Sequence, residues 1–143
     1  MPTLQFGEKI DNPLERLSVY GVILNDAKQI LVVNVRSKYH LPGGGIDEGE
    51  DEESALRREA SEETGYEISN IKFIGKANQF LPNASVGPMN KLGTFYSAQA
   101  GQQNSTNRVD LDHLPEWLDY EQLMSAHMSE FQKWAVNEIF KTI

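Results

Sequence analysis

The stretch from Gly43 to Tyr66, GGGIDEGEDEESALRREASEETGY, constrains the fold of this chain more than any other, because a glycine turn runs directly into a glutamate-rich segment. Residues 51–64 contain good helix formers and no proline, and Gly65 follows where a helix C-terminal stop is expected. The sequence therefore predicts about four turns of helix that begin just after the glycines.

Three glutamates share one face of this predicted helix, because Glu59, Glu62 and Glu63 follow i, i+3, i+4 spacing. Like charges at this spacing destabilise a bare helix by roughly 0.2–0.5 kcal/mol per pair. Arg58 can reach Glu62 at i+4 and can pair with Glu50, but one arginine does not neutralise the group. Converging carboxylate oxygens, completed by a backbone carbonyl and waters, are what Mg²⁺ or Mn²⁺ binds. The pattern predicts a divalent metal site.

The glycines before the helix complete this predicted site. Residues 43–45 allow positive φ and close backbone approach, so carbonyls can point at a metal and amides at phosphate oxygens. Acidic residues 50–53 suit the positive end of the helix dipole. A calcium-binding EF-hand loop does not fit, because residues 47–49 place glycine at the third position, where a ligand is needed. A glutamate helix that merely faces solvent would not require the glycine turn.

At these positions the chain resembles the Nudix hydrolase family. The family signature is Gly, five residues, Glu, seven residues, then Arg-Glu-apolar-any-Glu-Glu-any-Gly-apolar. This chain fills every fixed position of the signature, which reads Gly44, Glu50, Arg58-Glu59-Ala60, Glu62-Glu63 and Gly65-Tyr66. A chance coincidence of so many fixed positions is on the order of one in a million chains.

The resemblance implies roles for the matching residues. Glu59 and Glu63 would be the principal metal ligands, with Glu62 as a further ligand. The backbone carbonyl of Gly43 or Gly44 would complete the set. Mg²⁺, with Mn²⁺ as the alternative, would be the cofactor.

The resemblance also implies how the carboxylates are oriented and how water is activated. Arg58 would orient the glutamates through Glu50 or Glu62, because its fork binds carboxylate at two points. The general base would be Glu59 or Glu62, and a loop residue outside the signature is the alternative. Two aspartates precede Trp117 on a segment expected to cross the cleft, and they are the candidates for that role: Asp110 and Asp112.

Residues on both sides of the glycine turn are predicted to contact the substrate. We expect Arg36, at the end of a predicted strand, and the backbone of Gly44 and Gly45 to bind substrate phosphate, and Lys38 shares the character of Arg36. An aromatic wall for a base could come from the segments that carry three aromatic residues, although each also suits the core: Phe80, Phe95 and Tyr96.

The order of elements predicts an α/β (α+β) fold. Apolar and β-branched runs predict strands, polar turns separate them, and helical spacing returns near the C-terminus. Residues 1–13 are ambiguous, since Leu4, Phe6 and Ile10 could belong to a short edge strand. We predict strands at 17–24, 30–35 and 92–98, one longer strand or a bent pair at 68–80 with a bulge at Gly75, and helices at 120–124 and 129–140. Residues 81–90 and 101–107 read as loops. This order gives a Nudix-type αβα sandwich, a mixed β-sheet between helices, in one domain of residues 1–143.

Composition limits the partners. The net charge is −8 and no cysteine is present, so the sequence predicts no broad nucleic-acid binding and no thiolate metal site. No apolar run approaches membrane-spanning length, and no signal peptide is recognised, so we expect a cytoplasmic protein with no membrane contact. The oligomeric state is left open, a homodimer included.

The function that follows is hydrolysis of a diphosphate linkage in a nucleoside diphosphate joined to another group, with nucleoside triphosphates as the leading substrates, as in MutT. Three alternatives remain. Pro82, sixteen positions after Tyr66, resembles a marker of ADP-ribose pyrophosphatases, which suggests ADP-ribose or nucleotide-sugar hydrolysis. The second is a non-catalytic module that binds a nucleotide. The third is an acidic interaction domain whose helix binds cations loosely.

Overall fold

The computed structural model describes residues 3–143, and its centre is a mixed β-sheet covered by helices on both faces. Residues 1 and 2, part of the N-terminal segment, lie outside the described residues. The strands are β1 Leu4–Phe6, β2 Leu14–Leu24, β3 Ile30–Val35, β4 Lys38–His40, β5 Gly43–Gly45, β6 Tyr66–Leu81, β7 Met89–Gln103 and β8 Leu114–Leu118. The helices are α1 Glu52–Thr64, α2 Tyr120–Ser125 and α3 Glu130–Phe140. Within residues 3–143, every helix is too short or too polar to cross a membrane.

The sheet runs β1-β6-β7-β2-β3-β4, while β5 pairs with β2 and β8 pairs with β3. The pairs β1·β6 and β2·β7 are parallel, and the remaining pairs are antiparallel. The β2·β7 pairing is the longest parallel one, because it extends from Leu14 opposite Met89 to Leu24 opposite Gln99. This register brings the starts of two strands that are distant in sequence to the same edge of the molecule.

Alternation along β2 divides the core between the two sheet faces. Val19 and Ile23 point to the face covered by α1, whereas Tyr20 and Val22 point to the face covered by α3. All four side chains are buried. The helices contribute their apolar faces to these two clusters, namely Ala55, Leu56 and Ala60 from α1 and Phe131, Ala135 and Val136 from α3. The predicted αβα sandwich with a mixed sheet is therefore confirmed.

Several element predictions are confirmed in detail. The glutamate helix ends at Gly65, whose φ of 78° is the left-handed C-cap conformation that glycine adopts most readily. Its N-cap is Asp51, which accepts a hydrogen bond from the amide of Ser54 at 2.7 Å. Strand β3 has the predicted bounds, and the pairing of β6 with β7 shifts register at Gly75. Local signals were sufficient for these elements.

Two loop predictions were wrong because strand pairing extends further than the apolar pattern. The predicted loop at residues 101–107 begins inside β7, which continues to Gln103 opposite Tyr66 and is followed by a short 3₁₀ turn. The predicted glycine turn is itself strand β5, since Gly43–Gly45 pair with Ser18–Tyr20 of β2. The short strands β4 and β8 were not predicted as strands.

Candidate active site

Strand β5 and helix α1 form the framework of the site. Gly43 must lack a side chain, because a Cβ atom there would lie 2.1 Å from the carbonyl oxygen of Val19 on the paired strand. The next glycine lies against the helix, since a Cβ atom on Gly44 would be 3.0 Å from Oε1 of Glu59. The glycines thus allow the strand backbone to approach the carboxylates of α1 directly.

Arg58 is the hub of the carboxylate cluster. Its Nε and Nη2 donate to the two oxygens of Glu50 at 2.7 and 3.0 Å, which is the two-point geometry expected of arginine. Its Nη1 donates to Glu59 at 3.1 Å and to Glu62 at 3.2 Å. The hydrogen bond to Arg58 lowers the pKa of the Glu50 carboxyl, and the Glu50 carboxylate raises the pKa of Arg58. Arg58 is therefore tied to both glutamates through which the sequence expected it to act, and to a third.

Glu63 is the most buried of the glutamates, with 7% of its side chain exposed. Its Oε1 accepts a hydrogen bond from the Gly43 amide at 2.9 Å, and its Oε2 lies 3.1 Å from Nδ1 of His113. Burial, together with the nearby charges of Glu59 and Asp110, raises the pKa of Glu63 to about 8, although the Gly43 hydrogen bond acts to lower it. The ionised form of Glu63 is therefore unfavourable unless a cation lies close to its carboxylate.

The donor set fits a hard divalent cation in its chemistry. All the candidate groups are oxygen donors, and burial raises the pKa of Glu59 as it does that of Glu63. In the described part of the chain, however, no three acidic or histidine side chains are gathered closely enough to form a ready metal cage. Two of the candidate ligands, Glu59 and Glu62, instead accept hydrogen bonds from Nη1 of Arg58.

The loop before β8 closes over the end of α1. The amides of Val109 and Asp110 both donate to the carbonyl oxygen of Glu62, at 2.8 and 3.3 Å. Asp110 is partly buried beside the glutamates, whereas Asp112 is exposed. His113 of the same loop was not predicted as a site residue. The only sequence signal for it was its position three residues after the candidate base Asp110.

A cleft of about 330 Å³ lies on the other side of β5. Its lining comes from β2, β5, the β6–β7 connection and β7, namely Arg16, Ser18, Tyr20, Gly44, Gly45, Leu81, Ala84, Ser85, Met89 and Lys91. None of the three aromatic candidates for a base wall is among these residues. Phe95 is fully buried in the core, Tyr96 donates its hydroxyl hydrogen to Glu52, and Phe80 borders a different depression.

The basic residues of this cleft differ from the expected ones. Arg36 and Ser37 occupy the exposed turn between β3 and β4 with φ of 53° and 69°. Arg36 and Lys38 are not among the lining residues of the cleft. Arg16 and Lys91 are, and the sequence reasoning did not single them out. Burial lowers the pKa of Lys91, and the nearby positive charge of Arg16 lowers it further.

The fold and this site place a cluster of carboxylates on one side of a glycine strand and a cleft with two basic residues on the other. The NUDIX domain family model matches residues 14–138, and the chain belongs to this family. Hydrolases of the family act on diphosphate bonds of small nucleotide substrates and generally use a divalent cation such as Mg²⁺. The family assignment made from the sequence is confirmed.

Curated relatives share the central part of the chain. An RNA pyrophosphohydrolase from Ruthia magnifica is 39% identical over 74 residues, which is 50% of this chain and 41% of that protein. A putative 8-oxo-dGTP diphosphatase from Bacillus subtilis is 43% identical over 58 residues, 39% of either chain. An NAD-capped RNA hydrolase, NudC, from Pasteurella multocida is 31% identical over 69% of this chain and 36% of its own length. The chain thus matches well under half the length of each.

Solved structures show the same fold at lower identity. A NUDIX hydrolase from Nitrosomonas europaea superimposes with a TM-score of 0.75 at 20% identity, covering 90% of both chains. A MutT NUDIX hydrolase from Burkholderia pseudomallei gives a TM-score of 0.70 at 22% identity, covering 87% of this chain and 98% of its own. These structures support the architecture alone.

Proposed function

We propose that this chain is a Mg²⁺-dependent hydrolase that cleaves the diphosphate linkage of a nucleoside diphosphate joined to another group. Nucleoside triphosphates are the leading substrates, as in MutT, and residues 1–143 act as one domain. The observation that carries the proposal is the Arg58 hub, which holds Glu50, Glu59 and Glu62 around one guanidinium beside the glycine strand. An acidic helix that only faced solvent would not need this cross-linking.

In this proposal Glu59, Glu62 and Glu63 hold the cation with the backbone carbonyl of Gly43 or Gly44. When bound, Mg²⁺, or Mn²⁺ in its place, neutralises charge on the phosphate oxygens and activates the attacking water. The amide of Gly43 keeps Glu63 in place through its 2.9 Å hydrogen bond. His113 supports the same carboxylate from the opposite loop.

The remaining roles belong to side chains around this set. Arg58 is a positioning residue, because it orients the glutamates and does not reach the cleft lining. Glu62 is the proposed general base and would contact the cation through the attacking water, since it is the most exposed of the three metal-site glutamates at 35% and is tied to Arg58 through one oxygen. Asp110 is the alternative base, and general base catalysis contributes about 10²–10⁴-fold to a rate.

The test is release of phosphate and pyrophosphate from nucleoside triphosphates, ADP-ribose, nucleotide sugars and dinucleoside polyphosphates, with Mg²⁺, with Mn²⁺ and with EDTA. We expect metal-dependent turnover, and the product identifies the bond that is cut. Glu59→Gln should abolish turnover, while Glu53→Gln, an exposed position on the same helix, serves as the matched control. Equal turnover by both variants would contradict the proposal.

The same assay separates the alternative functions. Faster cleavage of ADP-ribose than of any triphosphate would favour an ADP-ribose pyrophosphatase. The structure gives Pro82 no role in this choice, because it is exposed and is not among the residues lining the cleft. Nucleotide binding without turnover would favour a binding module. No thermal shift with Mg²⁺ and nucleotide would favour an acidic interaction domain, since a ligand of the folded state raises apparent stability.

A further inference from the structure

Two cations lie side by side at the start of β2 and β7. The parallel register places Arg16 directly beside Lys91. Within residues 3–143, neither side chain has a carboxylate within 4.0 Å, since the ion pairs there involve Arg58, His113 and Lys141. Like charges in neighbouring positions of paired strands destabilise the sheet. Most basic residues of the described chain also lack an ion pair, and what distinguishes Arg16 and Lys91 is that they are neighbours in the sheet and line the same cleft.

The backbone of β5 makes room for one of these cations. A Cβ atom on Gly45 would lie 2.9 Å from Nη2 and 3.1 Å from Nε of Arg16, so the guanidinium occupies the space of the missing side chain. The preceding residue, Gly44, faces Glu59 in the same way. Consecutive Cα atoms are about 3.8 Å apart. The arginine and the glutamate site therefore lie on opposite faces of one short strand, and because β5 pairs only with β2 among the described strands, a substrate can reach both around its other edge.

The cleft beside these cations suits an anionic group better than a nucleobase. Tyr20 is the one aromatic residue among its described lining, and its ring is buried against Phe95 at a centroid distance of 5.4 Å. That ring is therefore engaged in the core and does not offer a free face for stacking. Of the two serines in the lining, Ser85 is exposed and its hydroxyl can donate to phosphate, whereas the buried Ser18 hydroxyl donates to the carbonyl oxygen of Leu92 at 3.3 Å.

We propose that Arg16 and Lys91 form a subsite for a phosphate group that follows the cleaved diphosphate linkage, so that the enzyme selects 5′-triphosphates over diphosphates capped by a neutral sugar. The inference rests on the proposed function, because it assigns the outer group of the same substrate. A free nucleoside triphosphate and the 5′-triphosphate end of an RNA share this chemistry.

ATP and ADP-ribose provide a matched substrate pair, because both contain adenosine diphosphate and differ in the outer group. Water adds across the linkage in both, giving AMP with pyrophosphate from ATP and AMP with ribose phosphate from ADP-ribose. We expect Arg16→Gln and Lys91→Gln to lower kcat/KM for ATP about 10- to 100-fold, mainly through KM, since each loses a charge-assisted hydrogen bond. ADP-ribose turnover should change less than about threefold.

Two variants control for charge and for folding. Lys72→Gln removes one positive charge from an exposed position of β6 and should leave both substrates unaffected. Gly45→Ala keeps every charge but places a methyl group where Arg16 lies, so it should weaken ATP turnover selectively. Equal losses for ATP and ADP-ribose in the Arg16 and Lys91 variants would overturn the subsite. An RNA oligonucleotide with a 5′-triphosphate distinguishes the two substrate sources by its kcat/KM relative to ATP.

Calorimetric titration with inorganic triphosphate keeps the subsite testable if no substrate is turned over. Wild-type protein with Mg²⁺ should bind it at least tenfold more tightly than the Arg16→Gln and Lys91→Gln variants. That result without turnover would support the subsite while the proposed hydrolase function failed. Equal affinity of wild type and both variants would overturn the subsite even where hydrolysis is observed.

Discussion

The two sides of strand β5 carry charges of opposite sign, and only the charges on the acidic side have partners within the described chain. On the α1 side, Arg58 binds Glu50, Glu59 and Glu62, so much of the acidic charge has an internal partner. On the cleft side, Arg16 and Lys91 lie together without a carboxylate partner in the described residues. The first arrangement fixes side chains in advance, whereas the second leaves charge available to a ligand.

This difference assigns separate tasks to the two sides. Side chains that a hydrogen-bond network holds in place require little rearrangement when charge develops during a reaction, which favours catalysis. Unpaired cations gain most when an anion arrives, which favours binding. The glycines between them are the reason both groups lie so near one backbone segment, because any side chain at Gly44 or Gly45 would occupy the space of Glu59 or Arg16. Variants on the two sides should therefore fail in different kinetic parameters.

Glu63→Gln should produce the largest effect. Loss of one metal-site carboxylate should lower kcat by at least about 10³-fold, because several kcal/mol of transition-state stabilisation depend on the cation. The amide side chain can still accept from Gly43, and repulsion from Glu59 disappears. We therefore expect unchanged or higher thermal stability of the metal-free protein, measured by calorimetry. Substantial turnover together with lower stability would assign Glu63 a purely structural role.

Gly43→Ala should have the second-largest effect, and it should destabilise the pairing of β5 with β2 that supports the site. The added Cβ atom would lie 2.1 Å from the carbonyl oxygen of Val19, so β5 and β2 must separate. We expect a loss of about 3 kcal/mol in the free energy of unfolding, measured with urea. Gly45→Ala is the contrast, because its Cβ meets only the flexible Arg16 side chain, and its cost should stay below about 1 kcal/mol. Equal costs would show that the close approach at Gly43 is unimportant.

Arg58→Lys should lower kcat by about 10- to 100-fold with a smaller change in KM. Lysine retains the charge but not the fork that contacts Glu50 at two points while also reaching Glu59 and Glu62. Steady-state kinetics with Mg²⁺ titration provides the measurement, with Arg57→Lys on the neighbouring helix position as the control. If Arg58→Lys instead raised KM alone, Arg58 would belong with the substrate-binding side.

The acidic side was largely predictable from the sequence because its determinants are local. Helix periodicity places Glu59, Glu62 and Glu63 on one face whatever the rest of the chain does, and Gly65 ends the helix by its own conformational preference. Arg58 finds all its glutamate partners within eight residues of sequence. The signature spacing also constrained the glycines, although their pairing with β2 as a strand could not be read from glycine's weak strand propensity.

The basic side could not be predicted in this way because it depends on long-range register. Arg16 and Lys91 become neighbours only through the parallel pairing of β2 with β7, and a shift of one residue would turn the side chains to opposite faces. His113 likewise reaches Glu63 across 50 positions of sequence. Arg36 was predicted to contact phosphate because it ends an apolar run, but the chain turns there and leaves that side chain exposed.

His40 reports the electrostatics of the basic side with the smallest expected effect. Burial, with smaller contributions from the nearby Lys91, Lys38, His113 and His127, lowers its pKa from 6.5 to about 4. Between pH 6.5 and 4 the folded state thus binds fewer protons than the unfolded chain, so stability present above pH 6.5 is lost as the pH falls. After screening by solvent, the loss should be about 1–2 kcal/mol.

Urea unfolding at several pH values between 7.5 and 4.5 measures this loss. His40→Gln should remove its part of the pH dependence, and Lys91→Gln should reduce it, because a neutral neighbour no longer opposes protonation of His40. Lys72→Gln, on an exposed part of β6, should retain the wild-type slope. If Lys91→Gln retained the full wild-type slope while His40→Gln lost it, the positive field of the cleft would not extend to His40. The electrostatic effect of Arg16 and Lys91 would then be limited to the cleft itself, where a bound phosphate would contact both side chains.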